Sequence, residues 1–312
     1  MPDTVLVADI KRNALDDGPG IRTTIFFKGC VLACVWCQNP ECLASRPELQ
    51  HQASACLGCG ACAAACPHGA VHTSPSGRRW HDRAVCARSC LSLRSGASIH
   101  EPACVAACPA ALRVVGRELE LDELLREVLP DEPFWRNSGG GVTLSGGEAT
   151  RQLQPVAALA ARLRGRGTHV LLETCGLYDG AAFEAQLLPH LDAVYFDVKL
   201  ADPDAHRQHT GRDNRVILEN LERLARLAPE RLLPRVPLVP GITDGEPNLR
   251  AIATLLRRLQ IGRVAILPYN PLWIPKRHEL ALELDYRHER FMSPAEVERC
   301  RALLRDAGLE VV

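Results

Sequence analysis

Outside residues 51–115, short apolar runs alternate with amphipathic stretches, a pattern that predicts parallel strands joined by helical crossovers. The runs Arg22–Lys28, Val142–Ser145, His169–Glu173, Ala193–Val198, Leu232–Leu238 and Val264–Pro268 predict strands. Among the helices, Gln152–Arg164 is rich in Ala and Leu and stops at Gly165, while Pro294–Asp306 follows Ser293 as an N-cap and stops at Gly308. Glu118–Leu129 predicts a helix that leads back from the intervening segment. Six βα units make an α/β fold of the incomplete (β/α)6 barrel type, in which functional groups gather at the C-terminal strand ends. The unusual polar motifs fall there. Cys30 follows the first strand, Gly146-Gly147-Glu148 the second, Glu173-Thr174 the third, Asp197 and Lys199 the fourth, and Asn270 the sixth, with Arg235 inside the fifth.

Residues 51–115 lack long apolar periodicity and hold eight cysteines, so they are expected to form an inserted module, with 1–50 and 116–312 forming the barrel. Cys56, Cys59, Cys62 and Cys66 are spaced C-x2-C-x2-C-x3-C with Pro67 following, the bacterial ferredoxin run. Cys86, Cys90, Cys104 and Cys108 precede Pro109 but depart from that spacing, because Leu91 to Ala103 intrude between the second and third. In two-cluster ferredoxins the last cysteine of each run ligates the other cluster. That rule predicts one 4Fe-4S cluster on Cys56, Cys59, Cys62 and Cys108, and a second on Cys86, Cys90, Cys104 and Cys66. No repeat beyond these two runs stands out.

The chain has 312 residues, enough for a sizeable core, and its 37 basic and 37 acidic side chains cancel. Such a balance gives no field directed at nucleic acid or an anionic membrane. Residues 1–30 show no apolar signal run, and no stretch of 18 apolar residues could span a bilayer, so a cytoplasmic protein is expected. Fourteen cysteines, most at cluster spacings, in so long a chain predict reduced thiols on iron rather than disulfides, in an anaerobic or low-oxygen setting.

Cys30, Cys34 and Cys37 form a C-x3-C-x2-C loop with Trp36 just before the last. Three thiolates hold three irons of a 4Fe-4S cluster and leave the fourth without a protein ligand, which suits chemistry on a bound molecule more than simple electron transfer. A structural zinc loop would need a clean fourth ligand, and the nearby candidate, Cys42, lies beyond Pro40. With the preceding Asp16-Asp17-Gly18-Pro19-Gly20-Ile21-Arg22, this stretch closely resembles the radical S-adenosylmethionine (SAM) enzymes that activate glycyl radical enzymes.

The resemblance runs through the whole chain and implies a radical SAM barrel with an inserted ferredoxin-like two-cluster module. Ser145-Gly146-Gly147-Glu148 resembles the motif that receives SAM's amino group, although Ala149-Thr150 replace the Pro-Leu often found next. Tyr195-Phe196-Asp197-Val198-Lys199 is similar to a segment whose acid contacts the ribose or a cation and whose lysine contacts the SAM carboxylate. Glu173 and Thr174 match positions that help hold a monovalent cation, with Glu where Asp is familiar. Arg235 resembles an arginine reaching SAM, and Asn270 stands where histidine commonly meets the adenosine. Trp36 looks like the aromatic residue beside the adenine, and Asp17 like the acid beside the partner's glycine loop. Cys42, Cys175 and Cys300 fit no ligand run, and Cys300 is expected in the core beside Leu303 and Leu304.

The implied activity is reductive cleavage of SAM to a 5′-deoxyadenosyl radical that takes hydrogen from a glycine of a partner enzyme. Implied alongside it are flavodoxin or ferredoxin as electron donor, relay through the inserted clusters, and a monomeric protein. Two readings compete: the same SAM chemistry on a small molecule or another peptide, and an electron-transfer protein that would not need the strand-end motifs.

Overall fold

The computed structural model describes residues 3–73, 79–91 and 102–312. The chain opens with β1 (Thr4–Ala14) and β2 (Arg22–Phe27), followed by the short strands β3 (Glu48–His51), β4 (Val71–Thr73), β5 (Arg79–His81) and β6 (Leu112–Val115). Then come β7 (Arg117–Glu120), β8 (Gly141–Gly146), β9 (His169–Thr174), β10 (Ala193–Asp197), β11 (Leu232–Pro237), β12 (Arg263–Leu267) and β13 (Glu310–Val311). One nine-stranded sheet runs β13-β12-β11-β10-β9-β8-β2-β1-β7. From β2 through β8 to β12 and β13 every pairing is parallel and in chain order, while β1 and β7 add an antiparallel edge.

The central strands are largely buried because both faces of the sheet are covered, as parallel sheets require. In β8, Gly141 to Ser145 are all buried. The covering helices carry one apolar stripe each. Helix Arg215–Leu227 buries Ile217, Leu221 and Leu224, and Glu246–Arg258 buries Leu249, Ile252, Ala253 and Leu256. Pro294–Asp306 begins with a Ser293/Glu296 capping box and buries Cys300 and Leu304. Among the described residues no helix is long and apolar enough to cross a membrane.

Two elements differ from the sequence-based expectation. The predicted helix Glu118–Leu129 begins as β7, which pairs with β1 in the register Thr4↔Glu120 to Val7↔Arg117, and turns helical only at Leu121. A short segment with one buried side chain, Leu119, satisfies either period, and pairing with β1 decides it. β1 itself was not expected. Its apolar run stops at Val7, and the charged half beyond is irregular, with register breaks at Val7/Asp9 and Lys11/Ala14.

The cysteine-rich segment leaves and rejoins through a two-stranded neck, β3 paired antiparallel with β6 from Glu48↔Val115 to His51↔Leu112. It has a small core of its own that includes Leu49, Ala70, Leu91, Val105 and Leu112. Arg83 ties it to the barrel by donating to Glu279 O at 2.8 Å, on helix Trp273–Glu279. The Cys90 to Cys104 insertion expected from sequence falls largely at 92–101, outside the described residues.

Backbone contact fixes the entry to β2. Gly20 has φ +67°, and a Cβ there would stand 2.4 Å from Gly140 N; a Cβ on Gly140 would meet Ile21 O. Gly140→Ala is therefore expected to cost about 1–3 kcal/mol through overpacking. An earlier denaturation midpoint with unchanged slope is the expected result, and a midpoint equal to the parent's would contradict this packing.

Candidate active site

The C-terminal ends of the parallel strands surround a cavity of about 400 Å³. Its wall includes Asp17, Cys30, Cys34, Trp36 and Cys37 from the β2 side, Gly146 and Gly147 after β8, and Glu173 and Thr174 of β9. Asp197 and Lys199 from β10, Arg235 of β11 and Asn270 after β12 complete it. Of the barrel residues expected to act, only Glu148 is missing from the wall.

The cysteine loop is held by backbone bonds on both sides. Gly29 N–H donates to Cys42 O at 2.8 Å and Cys30 N–H to Leu43 O at 3.0 Å, while Ala33 N–H donates to Thr210 O at 2.8 Å. Burial pushes the Cys30 thiol up to about 12 and also raises Cys34 and Cys37, with Lys199 pulling Cys30 and Cys34 the other way. Three soft sulfur donors on one loop, facing a cavity with a cation behind them, fit an iron-sulfur cluster.

Gly147 serves packing between loops. A Cβ there would lie 2.5 Å from Cys42 O and 2.6 Å from Gly29 O. Its missing side chain lets the loop after β8 press on the cysteine loop, where Glu148 N–H donates to Gly29 O at 2.9 Å. Gly146, at φ +110°, lies against the Phe27 backbone, and Glu148 beyond it does not reach the cavity wall. The Glu148 side chain accepts from Thr150 Oγ1 at 2.7 Å, Thr174 Oγ1 at 3.0 Å and Cys175 N–H at 2.8 Å. The carboxylate expected to meet SAM's ammonium is thus enclosed as a clamp between the β8 and β9 loops.

Beyond it stands a group of four charged side chains. Arg235 donates to Glu173 and, through Nε, to Asp197 Oδ1 at 3.0 Å; Lys199 Nζ donates to Asp197 Oδ2 at 2.9 Å. The pairing of Asp197 with Arg235 across β10 and β11 puts the two side by side. Burial alone would raise Asp197, but Arg235 and Lys199 outweigh it and hold the carboxylate below its usual range. Burial likewise works against Lys199 and Arg235, and the carboxylates outweigh it to keep both charged.

The remaining predicted residues are placed as follows. Trp36, 4% exposed, belongs to the core while reaching the cavity wall. Asn270 Oδ1 accepts from Leu272 N–H at 3.2 Å. Asp17 Oδ2 accepts from Thr24 Oγ1 at 2.7 Å. Sequence reasoning missed Ser145, whose hydroxyl donates to Glu173 at 2.6 Å, and Cys175, a buried thiol on the wall. Both adjoin strand-end motifs, and that position was the available signal.

In the cysteine-rich segment, Cys56, Cys59, Cys62 and Cys108 line one small cavity, and Cys66, Cys86, Cys90 and Cys104 another. This is the crossed grouping that the ferredoxin rule gives. Ala70 N–H donates to Cys66 Sγ at 3.4 Å and Ala111 N–H to Cys108 Sγ at 3.3 Å. Burial raises Cys108, but the backbone N–H groups of Ala110, Ala111 and Leu112 outweigh it and lower the thiol. Among the described residues no three His, Cys, Asp or Glu are gathered as one metal ion would need.

Residues 49–71 match the family model described as a 4Fe-4S binding domain. The chain is 33% identical to the indoleacetate decarboxylase activating enzyme of Tractidigestivibacter scatoligenes, over 98% of this chain and 96% of that one. It is 38% identical to the isethionate sulfite-lyase activating enzyme of Nitratidesulfovibrio vulgaris, over 90% and 89%. The benzylsuccinate synthase activating enzyme of Thauera aromatica is 39% identical, over 80% of this chain and 73% of that one. Among solved structures, a domain of pyruvate-formate lyase-activating enzyme from Bacteroides vulgatus has a TM-score of 0.46 at 23% identity, covering 56% of this chain and 98% of that chain.

The thiol loop, the 4Fe-4S family match and the curated relatives together define an activating enzyme of the radical SAM class. The chain belongs to the family of glycyl-radical-enzyme activating enzymes, which generate a glycyl radical on a partner enzyme.

If Glu148 is a clamp, Glu148→Gln should lose stability by about 1.5–3 kcal/mol, the range for hydrogen bonds to a charged group. Urea denaturation of the apoprotein checks this, and parent-like stability would show that the carboxylate is not so committed.

Proposed function

We propose that the barrel-end cavity binds SAM against a cluster held by Cys30, Cys34 and Cys37, and that the chain uses it to place a radical on a glycine of its partner enzyme. The observation that carries this reading is the convergence of three loop thiols and the strand-end motifs on one cavity. Cys30, Cys34 and Cys37 would hold the cluster, which would supply one electron to the sulfonium of SAM, breaking its C5′–S bond to give methionine and a 5′-deoxyadenosyl radical able to take the glycine hydrogen.

The chain's own residues bind and orient. Lys199, a compact charge with Asp197 behind it, takes the SAM carboxylate. Gly146 and Gly147 present backbone to the ammonium, with Glu148 fixing their loop. Trp36 and Asn270 border the adenosine, and Asp17, on the wall at the DGPG turn, faces the partner's glycine loop. Arg235 positions Glu173 and Asp197. The cation implied at Glu173 and Thr174 does not fit their hydrogen bonding, and no step depends on it.

Residues 51–115 form, in our reading, a ferredoxin-like module with two further 4Fe-4S clusters in the crossed grouping, three clusters in all. Arg83 fixes the module on helix Trp273–Glu279, which suits a relay that needs constant distances. The donor is flavodoxin or ferredoxin, and the protein acts as a cytoplasmic monomer under anaerobic conditions.

Electron paramagnetic resonance on the reconstituted, reduced protein with SAM and a candidate partner tests the activity. A glycyl doublet that vanishes in Cys30→Ala, Cys34→Ala or Cys37→Ala is expected. 5′-Deoxyadenosine without a glycine radical on any partner would favour a small-molecule or other peptide substrate. Iron analysis tests the module: about twelve irons per chain are expected from three four-iron clusters, falling in Cys86→Ala and Cys104→Ala. Unchanged content in those variants would contradict the second cluster.

A further inference from the structure

Glu173, Thr174 and Asp197 stand where the family resemblance implies a monovalent cation, and protein donors already occupy their oxygens. Glu173 accepts from Arg235 on one oxygen and from Ser145 on the other, at 2.6 Å. Asp197 accepts from Arg235 Nε at 3.0 Å and from Lys199 at 2.9 Å, again on different oxygens. Thr174 donates its hydroxyl to Glu148 and accepts from Gly176 N–H at 3.0 Å. A metal cation entering among them would stand beside a guanidinium in a partly desolvated site, where like charges repel strongly.

We propose that the Arg235 guanidinium takes the place of a monovalent cation in this chain, so that the site binds SAM without one. A planar fork can serve two carboxylates at once, the task a spherical ion would perform by coordination. The charges close: Glu173 and Asp197 are balanced by Arg235 and Lys199, whose side chains are each 10% exposed. Arg235 is also held from its face, 5.3 Å from the centre of the Tyr195 ring. Lys199 cannot substitute, since it reaches Asp197 alone.

The inference rests on the SAM-site reading, and its test separates the two. SAM affinity of the reconstituted enzyme is measured in tetramethylammonium, sodium and potassium buffers at one ionic strength of about 0.1 M, which fixes the screening. Dissociation constants agreeing within about twofold are expected, and tightening of about tenfold or more by sodium or potassium would overturn the proposal. Arg235→Gln should weaken SAM binding in tetramethylammonium and recover it in potassium; equal binding in both would count against Arg235 as the substitute. Crystals of the parent protein soaked in thallium(I) without SAM give a readout independent of SAM and of that variant's folding. No anomalous peak between Glu173 and Asp197 is expected, and a peak there would overturn the proposal whether or not SAM binds.

Discussion

Four charged side chains meet at the ends of three adjacent strands, and the site depends on how they pair. Glu173 of β9, Asp197 of β10 and Arg235 of β11, with Lys199 just beyond, lie where burial penalises any unpaired charge. Each carboxylate answers a cation across neighbouring strands. Removing one partner would leave the opposite charge buried alone, a cost of about 3–5 kcal/mol for a buried pair. The parallel register makes the arrangement possible, because Asp197↔Arg235 and Tyr195↔Glu173 are direct neighbours.

On the other side of the cavity, close packing and hydrogen bonds do the equivalent work. Gly147 sits against the carbonyls of Gly29 and Cys42 at a distance no side chain would allow, and Glu148 gathers hydroxyl and amide donors from the β8 and β9 loops. The cysteine loop is thereby fixed to the sheet by its backbone and by side chains such as Gln38 and Lys276, while its three thiols line the cavity. Rigid support of this kind suits a site that must hold a reactive radical away from everything except its target.

Much of this was legible in the sequence. The six apolar runs marked the parallel strands because strands covered on both faces are mostly apolar, interrupted here where Glu173, Asp197 and Arg235 meet the cavity. The two cysteine runs foretold which thiols share a cavity, since the crossing rule follows from two similar loops packed face to face. Other features were not legible, for definite reasons. β1 and β7 carry charge on their solvent side and too few apolar positions to betray their period. The enclosure of Glu148 depends on Thr174 and Cys175 at the end of β9, donors far along the chain that no local pattern reveals. The binding of Arg235 to Glu173 and Asp197 depends on strand register, set by the whole sheet.

On the proposed mechanism the cavity delivers its radical to one glycine of a partner enzyme. The most direct measurement mixes the reduced protein and SAM anaerobically with a partner whose glycines carry deuterium at Cα, and reads the mass of the 5′-deoxyadenosine formed. A single deuterium in the product, in step with the glycyl radical that appears, is expected. Product without deuterium would contradict it, because the hydrogen would then have come from elsewhere.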